Sequence, residues 1–465
     1  MEHGWAHDPV SMLDESPDVL YSLDPAQVEE FRLAAAQTRF AAMRPAVAFL
    51  DRLAANQHLE EIETLDDLVP LLFQHTVYKA YPLSVLERSQ FGKLTSWLGQ
   101  LTSHQLDVDA SGVTSIDDWL DLLDATSPMR VSHTSSTSGK LSFLPRSVAE
   151  IEPYMKATRQ YHLGFGDEPS VDLFGRELPI IRFGYRYTYD STGRHLPRLI
   201  EVVAGSAERC MATYPGKLSA DMLSLAGRVQ AAEARGELGR LELNPALLAR
   251  RGELRDFQEH KADHLRDFVT GIKERFGGQQ VLMLGALPHY MDAALEGERL
   301  GIVDVFRADS TYLLGGGFKN TAAPERWEER LTGFLGVGQL RECYGMQESL
   351  APARRCPGDH YHVPPYLIPF ALDPDSGEPR ARHGVQTGRF AFLDLLVQSY
   401  WGGLITGDEV TIHWDEQCSC GRTGAFIDRG ISRYSDKVTG DDKISCARIP
   451  EAHDKAVDYL VNSVR

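Results

Sequence analysis

The segment Val131–Lys140 has the sequence Val-Ser-His-Thr-Ser-Ser-Thr-Ser-Gly-Lys. Its hydroxyls, its backbone N–H groups and its lysine are the kinds of group that bind a polyphosphate. It is not a Walker loop, because Thr134 stands where that motif needs a glycine and Leu141 follows the lysine. A Ser/Thr run is also typical of a solvated linker, so its interpretation depends on the rest of the chain.

Apolar, β-rich runs alternate with helical patterns on the C-terminal side of this segment, as far as about residue 430. Residues 178–184, 280–285 and 389–396 are such runs, whereas residues 218–275 are rich in Ala, Leu, Arg and Glu and predict helices. This alternation predicts an α/β fold, in which helices cover a sheet.

The residues that precede the segment have the start signals of helices. Asp24 can cap a helix with Pro25 in its first turn, and apolar residues then follow with helical spacing to Met43. Ser115, with Asp118 three residues later, predicts a second helix start. We therefore predict a mainly helical N-terminal region, an α/β core and a short C-terminal piece, over residues 1–125, 126–432 and 433–465.

Composition excludes several classes of function. The formal net charge is −18 and no Lys/Arg-rich block occurs, which disfavours binding to nucleic acid or to an anionic membrane surface. The N-terminal residues lack a secretory signal pattern, and no apolar run is long enough to span a membrane. Six cysteines in a chain of 465 residues do not indicate a disulfide framework. We expect a cytoplasmic protein.

Three further motifs contain residue types that bind nucleotides. In Tyr344–Glu348 (Tyr-Gly-Met-Gln-Glu), the ring can stack on a purine and the carboxylate can ligate Mg²⁺ beside phosphates. In Thr406–Asp408 (Thr-Gly-Asp), a carboxylate at a tight turn can accept hydrogen bonds from ribose hydroxyls. Arg433, which follows the loop Gly421–Gly424, offers a rigid fork to phosphate or ribose oxygens. Each motif alone is equally typical of a solvent-facing turn or loop.

The four motifs occur in the order and with the approximate spacing found in adenylate-forming enzymes. Thr134–Lys140 resembles the phosphate loop of that superfamily, and Tyr344–Glu348 resembles its Tyr-Gly-x-Thr-Glu motif. Thr406–Asp408 matches its ribose-binding Thr-Gly-Asp, and Arg433–Asp436 resembles its Gly-Arg-x-Asp hinge. The resemblance implies an α/β fold: the large N-terminal domain of an adenylate-forming enzyme, with a helical N-terminal region and a truncated C-terminal subdomain.

The resemblance also implies which residues bind ATP and Mg²⁺. Glu348 would hold Mg²⁺, Tyr344 would stack on the adenine, and Asp408 and Arg433 would fix the ribose side. The complete set of candidates for ATP binding is Thr134, Ser135, Ser136, Thr137, Ser138, Gly139, Lys140, Tyr344, Gly345, Met346, Gln347, Glu348, Asp408 and Arg433.

The chain also resembles two narrower families, and these resemblances bear on the carboxylic acid substrate. Gly315–Lys319 (Gly-Gly-Gly-Phe-Lys), Tyr344-Gly-Met, and Cys356 followed by His362-Val-Pro-Pro resemble the acyl-protein synthetases, which activate fatty acids. Cys418-x-Cys420-Gly-Arg-Thr is similar to phenylacetate–CoA ligase-like enzymes. This resemblance implies that Gly315, Gly316 and Gly317 border the acyl pocket. His289, after Pro288, is a further candidate for that pocket, although a lone histidine is more typical of packing or solvent contact.

The chain departs from the superfamily pattern at several positions. Ser136 replaces a loop glycine, Gln347 replaces the threonine and Ser432 replaces the hinge glycine. The superfamily has a mobile C-terminal domain with a catalytic lysine, whereas this chain ends at Arg465. The lysines after the hinge, none of which we assign, are Lys437, Lys443 and Lys455. We expect Lys140 to supply much of the positive charge instead.

A zinc site is predicted from thiols and imidazoles, which suit tetrahedral Zn²⁺. The residues are Cys356, His360, His362, Cys418 and Cys420. The resemblance favours Cys356, His362, Cys418 and Cys420 as the metal ligands, with His360 as an additional candidate. Because four protein ligands leave no open position, the metal would be structural. The alternative is a set of buried thiols and surface histidines without a metal.

The acyl acceptor is suggested by the resemblance alone. In the acyl-protein synthetases a cysteine near the C-terminus takes the acyl group as a thioester, and Cys446 is the positional match. The alternative role for Cys446 is that of a small buried hydrophobe.

The sequence therefore predicts an ATP-dependent adenylate-forming ligase with Lys140, Glu348 and Cys446 as catalytic candidates. It would convert a fatty or aryl carboxylic acid into an acyl-adenylate with release of pyrophosphate. The acyl group would then pass to a protein thiol, a carrier, CoA or an amine. The alternatives are a CoA ligase and a non-catalytic nucleotide- or acyl-binding subunit of a larger complex.

Overall fold

The computed structural model describes residues 4–134, 140–240, 245–315, 317–318, 323–340 and 342–434. Its α-helices are α1 (Pro17–Leu20), α2 (Pro25–Met43), α3 (Ala48–Asn56), α4 (Leu83–Glu87), α5 (Phe91–Gly99), α6 (Ile116–Thr126), α7 (Ile151–His162), α8 (Ser191–Leu199), α9 (Ala220–Arg235), α10 (Pro245–Ala249), α11 (Arg251–Phe276), α12 (Leu287–Leu300) and α13 (Trp327–Leu335). Short 3-10 turns cover Pro9–Asp14, Leu65–Leu71, Val77–Lys79, Val148–Glu150, Ala207–Arg209 and Leu238–Arg240, and Ile200–Ala204 is a π-helical turn.

The strands are β1 (Phe73–Gln74), β2 (Ser132–Thr134), β3 (Ser142–Leu144), β4 (Ile180–Tyr187), β5 (Cys210–Lys217), β6 (Leu282–Ala286), β7 (Thr311–Gly315), β8 (Cys343–Tyr344), β9 (Ala353–Arg354), β10 (His360–His362), β11 (Leu367–Leu372), β12 (Val385–Asp394), β13 (Gly403–His413), β14 (Phe426–Asp428) and β15 (Ser432–Arg433). Helices therefore alternate with strands from β3 to β8, and the predicted α/β fold class is confirmed. No α-helix of the described chain lies between β8 and β15, so the predicted alternation does not extend to residue 430.

The predicted helix starts at Asp24 and Ser115 have the expected geometry. The Asp24 carboxylate accepts hydrogen bonds from the backbone N–H groups of Ala26 and Gln27, at 3.0 and 3.1 Å. Ser115 Oγ accepts from the N–H of Asp118 at 3.0 Å. These side chains satisfy N–H groups that have no partner within a helix, and so they fix where α2 and α6 begin.

A parallel sheet has the strand order β5-β4-β6-β7. Helices α11 and α12 pack on one face, where Phe183 of β4 contacts the rings of Phe268 and Tyr290. Because the strands are parallel, their carboxyl ends lie at one edge of the sheet, where α/β proteins bind ligands.

A second sheet is built around β13 and has the order β10-β14-β13-β12-β11. Two short strands from distant parts of the chain also pair with β13. Phe73 of β1 lies opposite Leu404 in parallel register, and Arg433 of β15 lies opposite Asp408 in antiparallel register. The strand β13 thereby brings residues from both ends of the described chain to one place.

Reciprocal helix caps join α6, in the N-terminal part of the chain, to α9. The Asp221 carboxylate accepts from the N–H groups of Ile116 and Asp117, each at 3.0 Å. Asp117 in turn accepts from the N–H of Ala220 at 2.8 Å and from the Ser219 hydroxyl. Each helix thus closes the N-terminus of the other, and α6 and α9 are held as one unit.

The largest hydrophobic core combines residues from before and after position 125. It includes Phe31 and Phe40 of α2 together with Phe392 of β12 and Trp401. The divisions at 125/126 and 432/433 stay predictions. Within the described ranges, no helix combines the length and the apolar character needed to cross a membrane.

Candidate active site

A cavity of about 1300 Å³ lies at the carboxyl ends of β4, β6 and β7, and it extends to β13 and β15. Many of the candidates chosen from the sequence line it, although they are far apart in the chain. They are Thr134, His289, Gly315, Gly317, Tyr344, Gly345, Met346, Gln347, Glu348, Asp408 and Arg433. A cavity with convergent polar groups at this edge of a parallel sheet is the usual form of a ligand site.

Tyr344, Asp408 and Arg433 form one hydrogen-bonded and ion-paired group. Tyr344 Oη donates to Asp408 Oδ2 at 3.0 Å, and Arg433 Nε lies 3.5 Å from Asp408 Oδ1. The register of β13 and β15 produces the second contact, since Asp408 and Arg433 are directly opposite one another. Thr406–Asp408 lies within β13, where the register with β12 shifts between Arg389 and Ala391, and the tight turn predicted from the sequence is wrong. Thr406 Oγ1 accepts from the Asp408 N–H at 3.1 Å.

The ring of Tyr344 belongs to an aromatic wall of the cavity. Its centroid lies 5.9 Å from that of Tyr361 and 5.6 Å from that of Phe390. Burial, and next the negative charge of Asp408, raise the pKa of Tyr344 well above its usual value. The phenol therefore stays protonated and remains a donor to the carboxylate at neutral pH.

The segment Gln347–Glu348 is held mainly through its backbone. Arg146, which is fully buried, donates to the Gln347 carbonyl at 2.5 Å and to the Ser191 hydroxyl. Gln347 Oε1 accepts from the Ser191 N–H at 2.7 Å, and Tyr400 Oη donates to the Glu348 carbonyl at 3.1 Å. These contacts fix the backbone of Gln347 and Glu348, both of which line the cavity.

The phosphate-loop candidates are only partly described. Thr134 ends β2 and pairs with Ser142 of β3, so the loop joins the two strands of a hairpin. Lys140 is absent from the cavity lining of the described residues, and its Nζ lies 5.4 Å from the centroid of the Tyr81 ring. Burial and the charge of Lys79 lower the pKa of Lys140. Lys79 itself lines the cavity.

The acid-side candidates lie at the ends of β6 and β7. His289 is in the first turn of α12, and Gly315 is the last residue of β7. Gly184 faces His289 with a backbone φ of +126°, and a Cβ at this glycine would lie 3.3 Å from the imidazole ring. Gly184 therefore lets the imidazole approach the strand closely.

Several residues and segments predicted from the sequence lie outside the described part of the chain. They are Ser135, Ser136, Thr137, Ser138, Gly139, Gly316, the hinge beyond Tyr434, the lysines Lys437, Lys443 and Lys455, and Cys446.

Sequence reasoning missed Arg182 and Asp190, which form a buried ion pair at the cavity wall. Arg182 Nη2 lies 3.4 Å from Asp190 Oδ2, and both side chains are 8% exposed. A signal was available, because Arg182 interrupts the apolar run Ile180–Phe183 of a strand that is buried on both faces. A charge at such a position is costly unless it is paired or binds a ligand.

The predicted zinc ligands converge at a second site. The ligand atoms of Cys356, His362, Cys418 and Cys420 all lie within 4.8 Å of one another. Cys356 Sγ is 3.7 Å from Cys418 Sγ, and Cys420 Sγ is 3.2 Å from His362 Nε2. The additional candidate His360 also lies near these atoms, and its Nδ1 is 3.3 Å from Cys418 Sγ.

The donor set suits a tetrahedral metal with sulfur and nitrogen ligands. Hydrogen bonding from Cys356 lowers the pKa of Cys420, and the same contact raises the pKa of Cys356. Burial lowers the pKa of His362, which favours the neutral imidazole that binds metals. Three thiols and an imidazole, with no carboxylate among them, fit Zn²⁺ better than Mg²⁺ or Ca²⁺.

The two sites share the strand β10. His360 and His362 alternate with Tyr361 along it, so the histidines and the tyrosine face opposite sides. Tyr361 lines the cavity and contacts Tyr344, whereas the histidines reach the cysteines. The cysteine–histidine cluster thus lies directly behind the aromatic wall.

No protein-family model matches the chain, and no curated protein matches its sequence. Among solved structures it is similar to 2-hydroxyisobutyryl-CoA ligase in an open conformation with 2-HIB-AMP and CoA, at 13% identity and a TM-score of 0.46, over 91% of this chain and 78% of the ligase. The same ligase in the post-adenylation state with R3-HIB-AMP has 13% identity and a TM-score of 0.48, over 91% of this chain and 71% of the ligase. ATP-bound MatB from Rhodopseudomonas palustris has 14% identity and a TM-score of 0.34, over 64% of this chain and 46% of MatB.

Proposed function

We propose that this protein uses ATP to activate a carboxylic acid as an acyl-adenylate. One observation carries the proposal: Tyr344, Asp408 and Arg433 come from three separate motifs and contact one another at the wall of the cavity that Thr134, Gln347 and Glu348 also line. These are the motifs through which the sequence resembles adenylate-forming enzymes. Their convergence at one cavity supports the proposal.

Each candidate then has a role that follows from its position. Asp408 accepts hydrogen bonds from the ribose hydroxyls, and Tyr344 and Arg433 hold its carboxylate in place. Thr134 and the loop that follows it, through Lys140, bind the phosphates. His289, Gly315, Gly316 and Gly317 border the pocket for the acid.

In the proposed reaction, a carboxylate oxygen of the acid attacks the α-phosphorus of ATP in line with the bond to the β-phosphate. The new P–O bond forms as that bond breaks, and pyrophosphate leaves with the electron pair. The products are acyl-AMP and pyrophosphate, and no redox step is involved. Catalysis here is mainly positioning together with stabilisation of charge on the phosphate oxygens.

Mg²⁺ bound to ATP would neutralise phosphate charge, and Glu348 fits it as an oxygen ligand whose backbone is fixed by Tyr400. Zn²⁺ would be held by Cys356, His362, Cys418 and Cys420, and would have a structural role.

The second half-reaction would transfer the acyl group to a thiol or an amine. The resemblance to acyl-protein synthetases supports Cys446 as a thiol acceptor within the chain. A carrier thiol, CoA and a free amine are the other acceptors, and each leads to a different product. The rival to the whole proposal is a subunit that binds a nucleotide or an acyl group without catalysis.

The experiment is a measurement of pyrophosphate release with ATP and Mg²⁺ across fatty, aryl and amino acids, with no acceptor added. Hydroxylamine is added in parallel to trap acyl-adenylate as the hydroxamate. Acid-dependent pyrophosphate together with the matching hydroxamate supports the proposal. ATP binding by calorimetry without pyrophosphate from any acid would favour the non-catalytic subunit.

A further inference from the structure

The buried arginine of β4 is unlike the other parts of the cavity wall. Arg182 is the third residue of the strand and is 6% exposed, yet it lines the cavity. Its strand neighbours Ile181 and Phe183 belong to an apolar core, and Phe183 also lines the cavity. The guanidinium is therefore a positive charge held at the cavity surface of an otherwise apolar strand segment.

The contacts of Arg182 leave donor capacity for a ligand. A guanidinium has five N–H donors, and close Arg–carboxylate bonds are usually about 2.7–2.9 Å long. Within the described part of the chain, the hydrogen bonds of Arg182 are long, at 3.4 Å from Nη2 to Asp190 and from Nε to the Tyr185 carbonyl. The pair Arg422–Glu168, which is equally buried, closes to 2.6 Å.

The position of the ion pair connects it to the predicted phosphate side. Asp190 caps α8 by accepting from the Gly193 N–H at 2.7 Å, so its carboxylate is fixed. The next residue, Ser191, donates its N–H to Gln347 Oε1 at 2.7 Å, and Glu348 follows Gln347. Arg182 is therefore linked, through Asp190 and Ser191, to the motif that we assign to Mg²⁺ and the phosphates.

We propose that Arg182 binds the carboxylate of the acid substrate and that Asp190 is the positioning residue that orients the guanidinium. The proposal rests on the proposed function and adds the residue that recognises the reacting group. The ligand class is an anionic carboxylate, held by the paired N–H groups of the guanidinium. A purely structural ion pair would instead affect folding and would treat charged and neutral ligands alike.

The test is calorimetric binding of matched ligands to the full chain in the presence of excess AMP. The probes are benzoate and hexanoate, with benzamide and hexanamide as neutral analogues of the same shape. R182Q is expected to raise the Kd of the acids roughly 10- to 100-fold. The Kd values of the amides and of AMP are expected to stay within about threefold, since neither ligand uses the lost charge.

R186Q is the matched control. Arg186 is on the same strand and donates to the Cys210 carbonyl at 2.8 Å, but it is absent from the described lining of the cavity. It is expected to leave all Kd values unchanged. If R182Q does not fold, as judged by near-UV circular dichroism, R182K is measured instead. Lysine keeps the positive charge but lacks the paired N–H groups of the guanidinium. The Kd values of the acids are then expected to rise about tenfold, and those of the amides and AMP to stay unchanged.

Equal losses for acid and amide, or unchanged acid binding in R182Q or R182K, would overturn the assignment, and so would a wild-type protein that binds none of the acids. Acid binding that depends on Arg182 without pyrophosphate release would remove the proposed function alone. Pyrophosphate release with acid binding that is independent of Arg182 would remove this inference alone.

Discussion

The phenol oxygen of Tyr344 donates to Oδ2 of Asp408 over 3.0 Å, although the residues are 64 positions apart in the chain. The contact joins two motifs that the sequence could only relate through resemblance. It also gives the hydroxyl of the tyrosine a role beside the predicted stacking of its ring on the adenine. The ring forms part of the aromatic wall, while its hydroxyl holds the carboxylate that we assign to the ribose.

Loss of the Asp408 carboxylate is expected to weaken ATP binding. Asp408→Ala should raise the KM for ATP roughly 30-fold, since hydrogen bonds to a charged group are each worth about 1.5–3 kcal/mol. Initial rates of pyrophosphate release measure the change. Asp415→Ala is the control, because Asp415 is exposed at the far end of the same hairpin and caps only the Gly384 N–H. An unchanged KM in Asp408→Ala would remove the ribose assignment.

The hydroxyl of Tyr344 is expected to act separately from its ring. Tyr344→Phe keeps the contacts with Tyr361 and Phe390 but removes the donor to Asp408, so the KM for ATP should rise about tenfold. The exposed Tyr187 gives the matched variant Tyr187→Phe, which should behave as wild type. If Tyr344→Phe leaves the ATP KM at the wild-type value, the hydroxyl does not position Asp408.

The cysteine–histidine cluster is expected to contain about one zinc per chain. Elemental analysis of purified protein measures this ratio, and Cys418→Ser should lower it sharply. The control is Cys210→Ser, because Cys210 is a buried thiol outside the cluster. A ratio under about 0.2 in the wild type, after mild purification, would count against the site.

Removal of that metal is also expected to weaken AMP binding. His360 and His362 flank Tyr361, whose ring is 5.9 Å from that of Tyr344. Chelation should therefore loosen the aromatic wall and raise the Kd for AMP a few-fold, by less than Asp408→Ala does. Calorimetry before and after chelation, followed by return of Zn²⁺, measures the effect. Identical Kd values would show that the two sites are independent.

Acid should destabilise the fold through buried neutral histidines. Burial lowers the pKa of His195 to about 3 from an ordinary value of 6.5. The unfolded chain takes up a proton between those pH values, while folded His195 stays neutral. Its contribution to stability is therefore complete above pH 6.5 and is lost as the pH falls toward 3, by up to about 1.4 kcal/mol per pH unit.

His195→Phe should keep the stack on Tyr154, where the ring centroids are 3.7 Å apart, and flatten this pH dependence. Urea unfolding at a series of pH values measures the slope. The surface variant His7→Gln is the control and should retain the wild-type slope. If the free energy of unfolding of His195→Phe depends on pH as steeply as that of the wild type, His195 is not a source of the acid sensitivity.

Cys446 is expected to carry the acyl group if the resemblance to acyl-protein synthetases extends to the acceptor. Cys446→Ser should abolish hydroxylamine-sensitive self-acylation and leave acid-dependent pyrophosphate release intact. Cys210, a buried thiol that is absent from the described cavity lining, gives the comparison variant Cys210→Ser, which should still be labelled. Equal labelling of the two variants would exclude Cys446 as the acceptor.

The sequence predicted those features that depend on local chemistry. Asp24 and Ser115 are caps because their oxygens reach N–H groups two or three residues away, and such contacts need no tertiary information. The apolar runs at 178–184 and 280–285 became β4 and β6 because both lie inside a parallel sheet. The selection of Cys356, His362, Cys418 and Cys420 came from resemblance, and these residues do converge.

Features that depend on register could not be predicted. Nothing local to Arg433 indicates that β15 pairs with β13 or that Asp408 is its partner. Arg182 was missed for a related reason: a strand pattern shows which residues are apolar, but not which position faces a cavity. The position of the Lys140 side chain over Tyr81, a residue from a distant turn, could not be predicted from the sequence either.

The pairing of β13 with both β1 and β15 has a consequence for the order of folding. The strand has its complete set of neighbours only when Phe73 and Arg433 have both reached it, and such long-range pairing makes contact order high and folding slow. Phe73 and its partner Leu404 are 331 positions apart in the chain, and Arg433 is made later still. The nucleotide end of the cavity is therefore among the last parts of the described chain to acquire its native contacts.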